Sequence, residues 1–153
     1  FKNKMIIGYL RSLFLTFLSF KIGGFSGMLF FLFIAFLGKM LLEAINFTEH
    51  YGLVRVKGQP VCMRHSWNSN HCLSGIYLCN VTRHSDHHRA ANLKFWELSP
   101  FDNSAPMLPY GYLSMLYLAL FLPLVYKKIM ASKIKDWNIN YANKEEQKLV
   151  NLI

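Results

Sequence analysis

Two apolar runs with four residues between them constrain this chain more than any other feature. Met5 to Phe20 is 16 residues long, and Arg11 is its sole charge. Lys21-Ile22-Gly23-Gly24 follows and reads as a tight turn. Phe25 to Ile45 then runs for 21 residues around "MLFFLFIAFL". At about 1.5 Å per residue, about 20 helical residues cross a hydrocarbon core roughly 30 Å thick. The second run spans comfortably, whereas the first is short and must tilt or end close to the interface. A pair of buried core helices is the competing reading, but a surface apolar all round exceeds what a soluble core needs. The pattern therefore predicts two transmembrane helices within residues 1–46. Lys39 and Glu43 lie four apart on one helix face and could pair there. Charges at that depth face a bundle interior unless they already sit at the headgroup level.

From Asn46 the chain turns polar, and Gly52, Gly58, Pro60, Gly75, Pro100, Pro106, Pro109 and Gly111 punctuate it. Leu113 to Val125 is apolar but too short to span, and it reads as an interfacial or buried helix followed by basic "YKKIMASKIK". Asn138 to Ile153 is a polar tail with a short helical pattern. Residues 47–153 are thus expected to form one lobe. The fold class predicted is an all-α membrane protein, a helical transmembrane bundle with a cytoplasmic histidine-rich helical lobe.

The net charge of +9 raises the question of nucleic acid. The bases form no compact stripe, so nucleic-acid binding is set aside. Lys2 and Lys4 precede the first run, Lys21 lies between the runs, and 12 of the 17 Lys and Arg residues follow Ile45. Two spans return the chain to its starting side, so the positive-inside bias puts both basic regions in the cytoplasm. Three cysteines, Cys62, Cys72 and Cys79, form an odd set that fits a reducing compartment. The sequons at Asn46 and Asn80 are then coincidental. The chain begins at Phe1 without a signal-peptide pattern and reads as the carboxy-terminal piece of a longer protein.

All six histidines follow the second run: His50, His65, His71, His84, His87 and His88. In "TRHSDHHRAAN", His84, His87 and His88 have the spacing i, i+3, i+4 and share a face if helical. Such a trio reaches one metal or two close together, and imidazole suits iron, copper, zinc and nickel. Structural histidines are the competing reading. Asp86 and Glu49 each neighbour a histidine and could accept a ring N–H, fixing its tautomer. A rival zinc site would draw four ligands from Cys62, His65, His71, Cys72 and Cys79, but only Cys62-x-x-His65 has knuckle spacing.

Four stretches together resemble a known family. "NFTEHYGL" (Asn46 to Leu53), "RHSWNSN" (Arg64 to Asn70), "RHSDHH" (Arg83 to His88) and "LPYGY" (Leu108 to Tyr112) occur in that order. They are similar to the carboxy-terminal half of the membrane alkane hydroxylases and the related xylene monooxygenases. These belong to the membrane histidine-box desaturases and hydroxylases. The resemblance covers Leu41 to Asn143. It implies two iron ions in a non-haem di-iron site, with His84, His87 and His88 matching the last box and His50 the isolated ligand. His65 matches a motif position without an assigned ligand role and stands, with Glu49 and Asp86, as a second-shell candidate. His71 matches no ligand. The earlier boxes, of His-Glu-x-x-His and His-x-x-Gly-His-His type, do not occur in these residues.

The implied reaction places one atom of dioxygen on the terminal carbon of a hydrocarbon and releases the other as water. Electrons come from a rubredoxin, or from an iron–sulfur reductase in the xylene branch. Arg55, Lys57, Lys127 and Lys128 are candidate bases for steering an acidic donor, with attraction to the membrane surface as the alternative. The implied location is the bacterial inner membrane, with the lipid bilayer supplying substrate. Motifs beside the histidines look closer to the alkane branch. "LVRVKGQP" (Leu53 to Pro60) and "KIKDWNINYA" (Lys133 to Ala142) look closer to the xylene branch, and a lipid desaturase or hydroxylase is a further alternative.

Overall fold

A computed structural model of the chain describes residues 3–101 and 104–152. Lys2 and Ile153, which enter the expectations above, lie outside the described residues. The described residues are helical, with no strand among them beyond one isolated parallel bridge between Asn68 and Met107. The chain divides into two compact units, Phe1–Glu43 and Ala44–Ile153.

The first unit carries most of helix α1, Lys4–His50, which has 47 residues. It is the one described helix long and apolar enough to cross a membrane. The sequence predicts two helices and a four-residue turn, whereas the structure has one run broken at a single residue. Gly24 has φ 60 and ψ −156, a left-handed conformation that glycine adopts without a Cβ penalty. Lys21, Ile22 and Gly23 stay helical, because one glycine is enough to redirect the chain. In a straight helix Ser19 and Gly27 would be about 12 Å apart. A Cβ on Gly27 would instead lie 2.9 Å from the Ser19 carbonyl oxygen. The chain therefore bends sharply at Gly24, and the missing side chain at Gly27 leaves room for the Ser19 carbonyl. Elsewhere Phe14, Phe25, Phe30 and Phe36 are each more than half exposed. Only 6% of the most apolar window is buried against the rest of this chain. Lys39 and Glu43 make no ion pair among the described residues.

The second unit begins with the last turns of α1. The helix runs beyond Ile45 to His50 because nothing in Asn46-Phe47-Thr48-Glu49-His50 breaks it. Gly52 ends it at φ 73, with Leu53 N–H bonding back to the His50 carbonyl at 3.1 Å. A side chain at Gly52 would overlap Ile134. A 3-10 turn follows at Met63–His65, then the short helices α2, Cys72–Tyr77, and α3, His84–Arg89. The remaining helices are α4, Tyr112–Phe121; α5, Pro123–Asn140; and α6, Lys144–Val150. The apolar stretch Leu113–Val125 was expected to be one helix, but it divides at Leu122. Proline bars an α conformation for the residue before it and suits the first position of a new helix.

Trp67, Leu108, Tyr112, Met115, Tyr126, Met130 and Trp137 form the buried core of this unit. Its polar edges bond to the chain instead of being left dry. Tyr112 Oη donates to the Ile45 carbonyl at 2.8 Å, and Trp67 Nε1 donates to the Tyr51 carbonyl at 2.8 Å. Trp67 N–H donates to the Glu49 carbonyl at 2.8 Å. Those three bonds tie the last turns of α1 and the residue after it to the core. They also fix the position from which His50 projects.

Candidate metal centre

His50, His84 and His88 come together. Each offers one ligand atom, and these atoms all lie within 4.8 Å of one another. Among the described residues no other group of three or more His, Cys, Asp or Glu side chains is gathered in this way. The i, i+4 spacing works as anticipated because α3 is helical over His84–Arg89. Ser85, fully buried, anchors that helix by donating to the Ser66 carbonyl at 3.0 Å. The rings of His50 and His88 stack with centroids 5.1 Å apart, and His84 meets both edge-on, at 5.2 and 4.5 Å.

Two of the three use Nδ1 for support. His50 Nδ1 lies 2.8 Å from the His65 carbonyl, and His88 Nδ1 lies 3.4 Å from the Cys62 carbonyl. A carbonyl only accepts, so both Nδ1 atoms carry the proton and both Nε2 atoms keep a free lone pair. His84 Nδ1 faces Glu49 Oε1 at 3.4 Å, and Glu49 is buried. This is the arrangement in which outer carbonyls and carboxylates orient metal-binding imidazoles. Burial, then the neighbouring His88, His50 and His87, lower the His84 pKa to about 3. Burial and His50 likewise lower His88 to about 4, against the bond to Cys62. Both are neutral at pH 7, so no proton competes with a metal. Metal–imidazole bonds of about 2.0–2.1 Å put opposed ligands about 4.2 Å apart, so small ring movements close this trio on one ion. The donor set fits a divalent transition metal.

The other histidines separate into distinct places. His87 is exposed, and its ring centroid lies 5.3 Å from that of His84, at the edge of the cluster. His65 is buried and both its nitrogens are occupied: Nδ1 accepts from Cys62 N–H at 3.0 Å, and Nε2 donates to Glu146 Oε1 at 2.7 Å. It supports His50 through its backbone carbonyl, not through its ring. Asp86 accepts from Arg89 Nε at 2.7 Å and from Ser99 N–H at 2.8 Å, and it bonds no histidine. His71 is exposed at the start of α2. Cys62, Cys72 and Cys79 are free thiols and join no metal-holding group among the described residues.

Two recesses flank the cluster. One, of about 300 Å³, is lined by His50, Arg55, Val61, His65 and His88. The other, of about 250 Å³ and mainly apolar, is lined by Val81, His84, His87, Leu93, Phe95 and Leu98.

The residue that sequence reasoning missed is Glu146. It is fully buried and binds Arg64 and His65 together. Burial alone would raise its pKa, but Arg64, the Asn143 N–H and His65 outweigh that and hold it near about 2. Asn143-x-x-Glu146 is the pattern of a capping box and marks the helix start, though not the distant partners.

A family model described as fatty acid desaturase matches residues 1–119. Alkane 1-monooxygenase 1 of Pseudomonas aeruginosa is 40% identical over 151 residues, covering 95% of this chain and 38% of that protein. An alkane 1-monooxygenase of Acinetobacter baylyi is 44% identical over 61% of this chain and 24% of its own length. The hydroxylase component of a xylene/toluene monooxygenase from Pseudomonas putida is 34% identical over 74% of this chain and 30% of its own length. The chain thus spans about two fifths, or less, of the curated relatives it matches.

Proposed function

The chain belongs to the fatty acid desaturase family, and on that premise we propose that it is part of a membrane-bound non-haem di-iron monooxygenase acting on the terminal methyl of a hydrocarbon. The observation that carries this reading is the gathering of His50, His84 and His88, two of them held through Nδ1 by backbone carbonyls. Relatives named as alkane and xylene monooxygenases support the substrate class.

In this reading residues 1–46 cross the bilayer twice and residues 47–153 form a cytoplasmic lobe. His50, His84 and His88 hold one iron, and His87 is available to the second. The remaining ligands come from histidine boxes elsewhere in the protein. Iron supplies an oxidant strong enough for an unactivated C–H bond, which amino-acid side chains lack. The chain's own residues do the positioning. Two backbone carbonyls hold the His50 and His88 rings in one tautomer, while Glu49, whose pKa burial raises to about 8, lies beside His84 Nδ1. The apolar recess beside His84 and His87 accepts a methyl group and excludes water. Hydrocarbons partition into the bilayer at about 0.8 kcal/mol per CH₂, so a substrate would arrive from the membrane side. A rubredoxin-type donor would supply electrons from the cytoplasm, drawn by basic residues such as Arg55, Lys57, Lys127 and Lys128.

A substrate panel tests the proposal. Whole cells carrying the full gene receive octane and toluene, and the alcohols are quantified. The expected product is 1-octanol. Benzyl alcohol alone would transfer the assignment to the xylene branch, and neither product would direct it to a lipid.

A further inference from the structure

The tail helix α6 lies far from the histidines in sequence, yet it ends one hydrogen-bond pathway that begins at them. The pathway starts in the turn Cys62-Met63-Arg64-His65. Two carbonyls of that turn face the trio: His65 O takes the His50 Nδ1 proton at 2.8 Å, and Cys62 O lies 3.4 Å from His88 Nδ1. One four-residue turn thus orients two of the three clustered rings. The turn is closed from within by the His65 ring, whose Nδ1 accepts the Cys62 N–H at 3.0 Å.

Three contacts hold the turn from behind. Arg64 makes a forked pair with Glu146, Nε to Oε2 at 3.0 Å and Nη2 to Oε1 at 3.1 Å. His65 Nε2 donates to Glu146 Oε1 at 2.7 Å. Trp137 Nε1, from α5, donates to the Arg64 carbonyl at 2.6 Å. Glu146 also accepts Asn143 N–H at 2.8 Å, which completes the capping box of α6. Its side chain is fully buried, so no solvent replaces a lost partner. A carboxylate is the one side chain that accepts all four donors, since it has acceptors only.

We propose that Glu146 is a positioning residue for the metal centre, acting through His65 and Arg64 on the carbonyls that orient His50 and His88. The tail of the chain is therefore part of the site, although it lies outside residues 1–119 matched to the family. The inference rests on the reading of His50 and His88 as iron ligands. Glutamine at 146 keeps the shape but turns one acceptor into a donor, which opposes either Arg64 or Asn143 N–H. Loss of an outer-shell partner commonly weakens metal binding by about 10–100-fold.

The test uses the full-length enzyme in detergent and measures iron release to a chelator, with tail proteolysis in parallel. E146Q should release iron at least about tenfold faster than wild type while its tail stays protected. H65Q should do the same, and the effect of E146Q/H65Q should be smaller than the product of the two single effects, because the two changes share the His65–Glu146 bond. N143A weakens the helix cap without touching the turn and should release iron at the wild-type rate. E145Q, at an exposed carboxylate that accepts from Gln59 Nε2 at 2.8 Å, serves as the neutral control. Release from E146Q at the wild-type rate overturns the proposal. So does fast release in both N143A and E146Q with a cleaved tail, which assigns Glu146 to folding alone. If E146Q does not accumulate, H65Q carries the comparison, since it keeps the Arg64–Glu146 pair. A wild-type enzyme without iron overturns the ligand assignment itself, a result distinct from any change at Glu146.

Discussion

The apolar unit Phe1–Glu43 and the lobe unit Ala44–Ile153 solve the problem of burial in opposite ways. In the first, phenylalanines stand outward and the backbone satisfies itself inside a helix. One close approach there brings Ser19 to Gly27. In the second, short helices leave many backbone groups without a helical partner. Aromatic donors supply two of them, Trp67 to the Tyr51 carbonyl and Trp137 to the Arg64 carbonyl. The first design asks little specificity of any one residue. The second depends on individual side chains, since each bond is made once and is buried. The lobe should therefore be intolerant of single substitutions where the helical unit is not.

The largest expected effect is at the trio. His84→Ala in the full-length enzyme should abolish iron binding and product formation together, whereas His71→Ala should leave both unchanged. Iron content by metal analysis checks this, and full occupancy without His84 would remove the ligand assignment. Next comes Trp137, buried in the core and bonded to the turn behind His50. Trp137→Ala should cost about 3–5 kcal/mol in unfolding free energy, measured by denaturant titration in detergent.

A smaller, local effect follows from pH. The Glu146 pKa is depressed to about 2 from a model-compound value of 4.5. A depressed carboxylate contributes stability that is complete above its unfolded value and is lost as pH falls through its folded value. The tail contact should hold from neutral pH down to about pH 5 and weaken between about 4.5 and 2. Hydrogen exchange of the α6 amides, corrected for intrinsic rates, reports it, and E146Q should flatten the profile in that window. The smallest effect is expected in the apolar unit. Phe33 is 56% exposed, and Phe33→Ala should change unfolding free energy by less than about 0.5 kcal/mol. A cost matching that of Trp137→Ala would erase the contrast between the two units.

Several features could be read before any fold was known. Apolar length alone set α1 apart, because helix rise and hydrocarbon thickness are fixed quantities. The His84, His88 pair followed from helical period, and the motifs around His50 and His84 carried the family resemblance. The break at Gly24 was legible as a turn but not as a single-residue one. Its sharpness depends on one backbone conformation and on contact between Ser19 and Gly27.

What the tertiary structure alone decided is the use of each histidine. The sequence resemblance makes His88 a ligand and His65 a second-shell candidate, and both are buried or half-buried. They differ because Cys62 N–H and Glu146 occupy both nitrogens of His65, while the Cys62 carbonyl occupies only Nδ1 of His88. Asp86, adjacent to His87 in sequence, turns toward Arg89 and Ser99. Glu146, more than 80 positions away from His65, completes the support of the turn beside the trio. Local sequence specifies helical period and apolar length, since both arise between near neighbours along the chain. Hydrogen-bond partners across loops are chosen by packing, and that choice exists only once the chain has closed on itself.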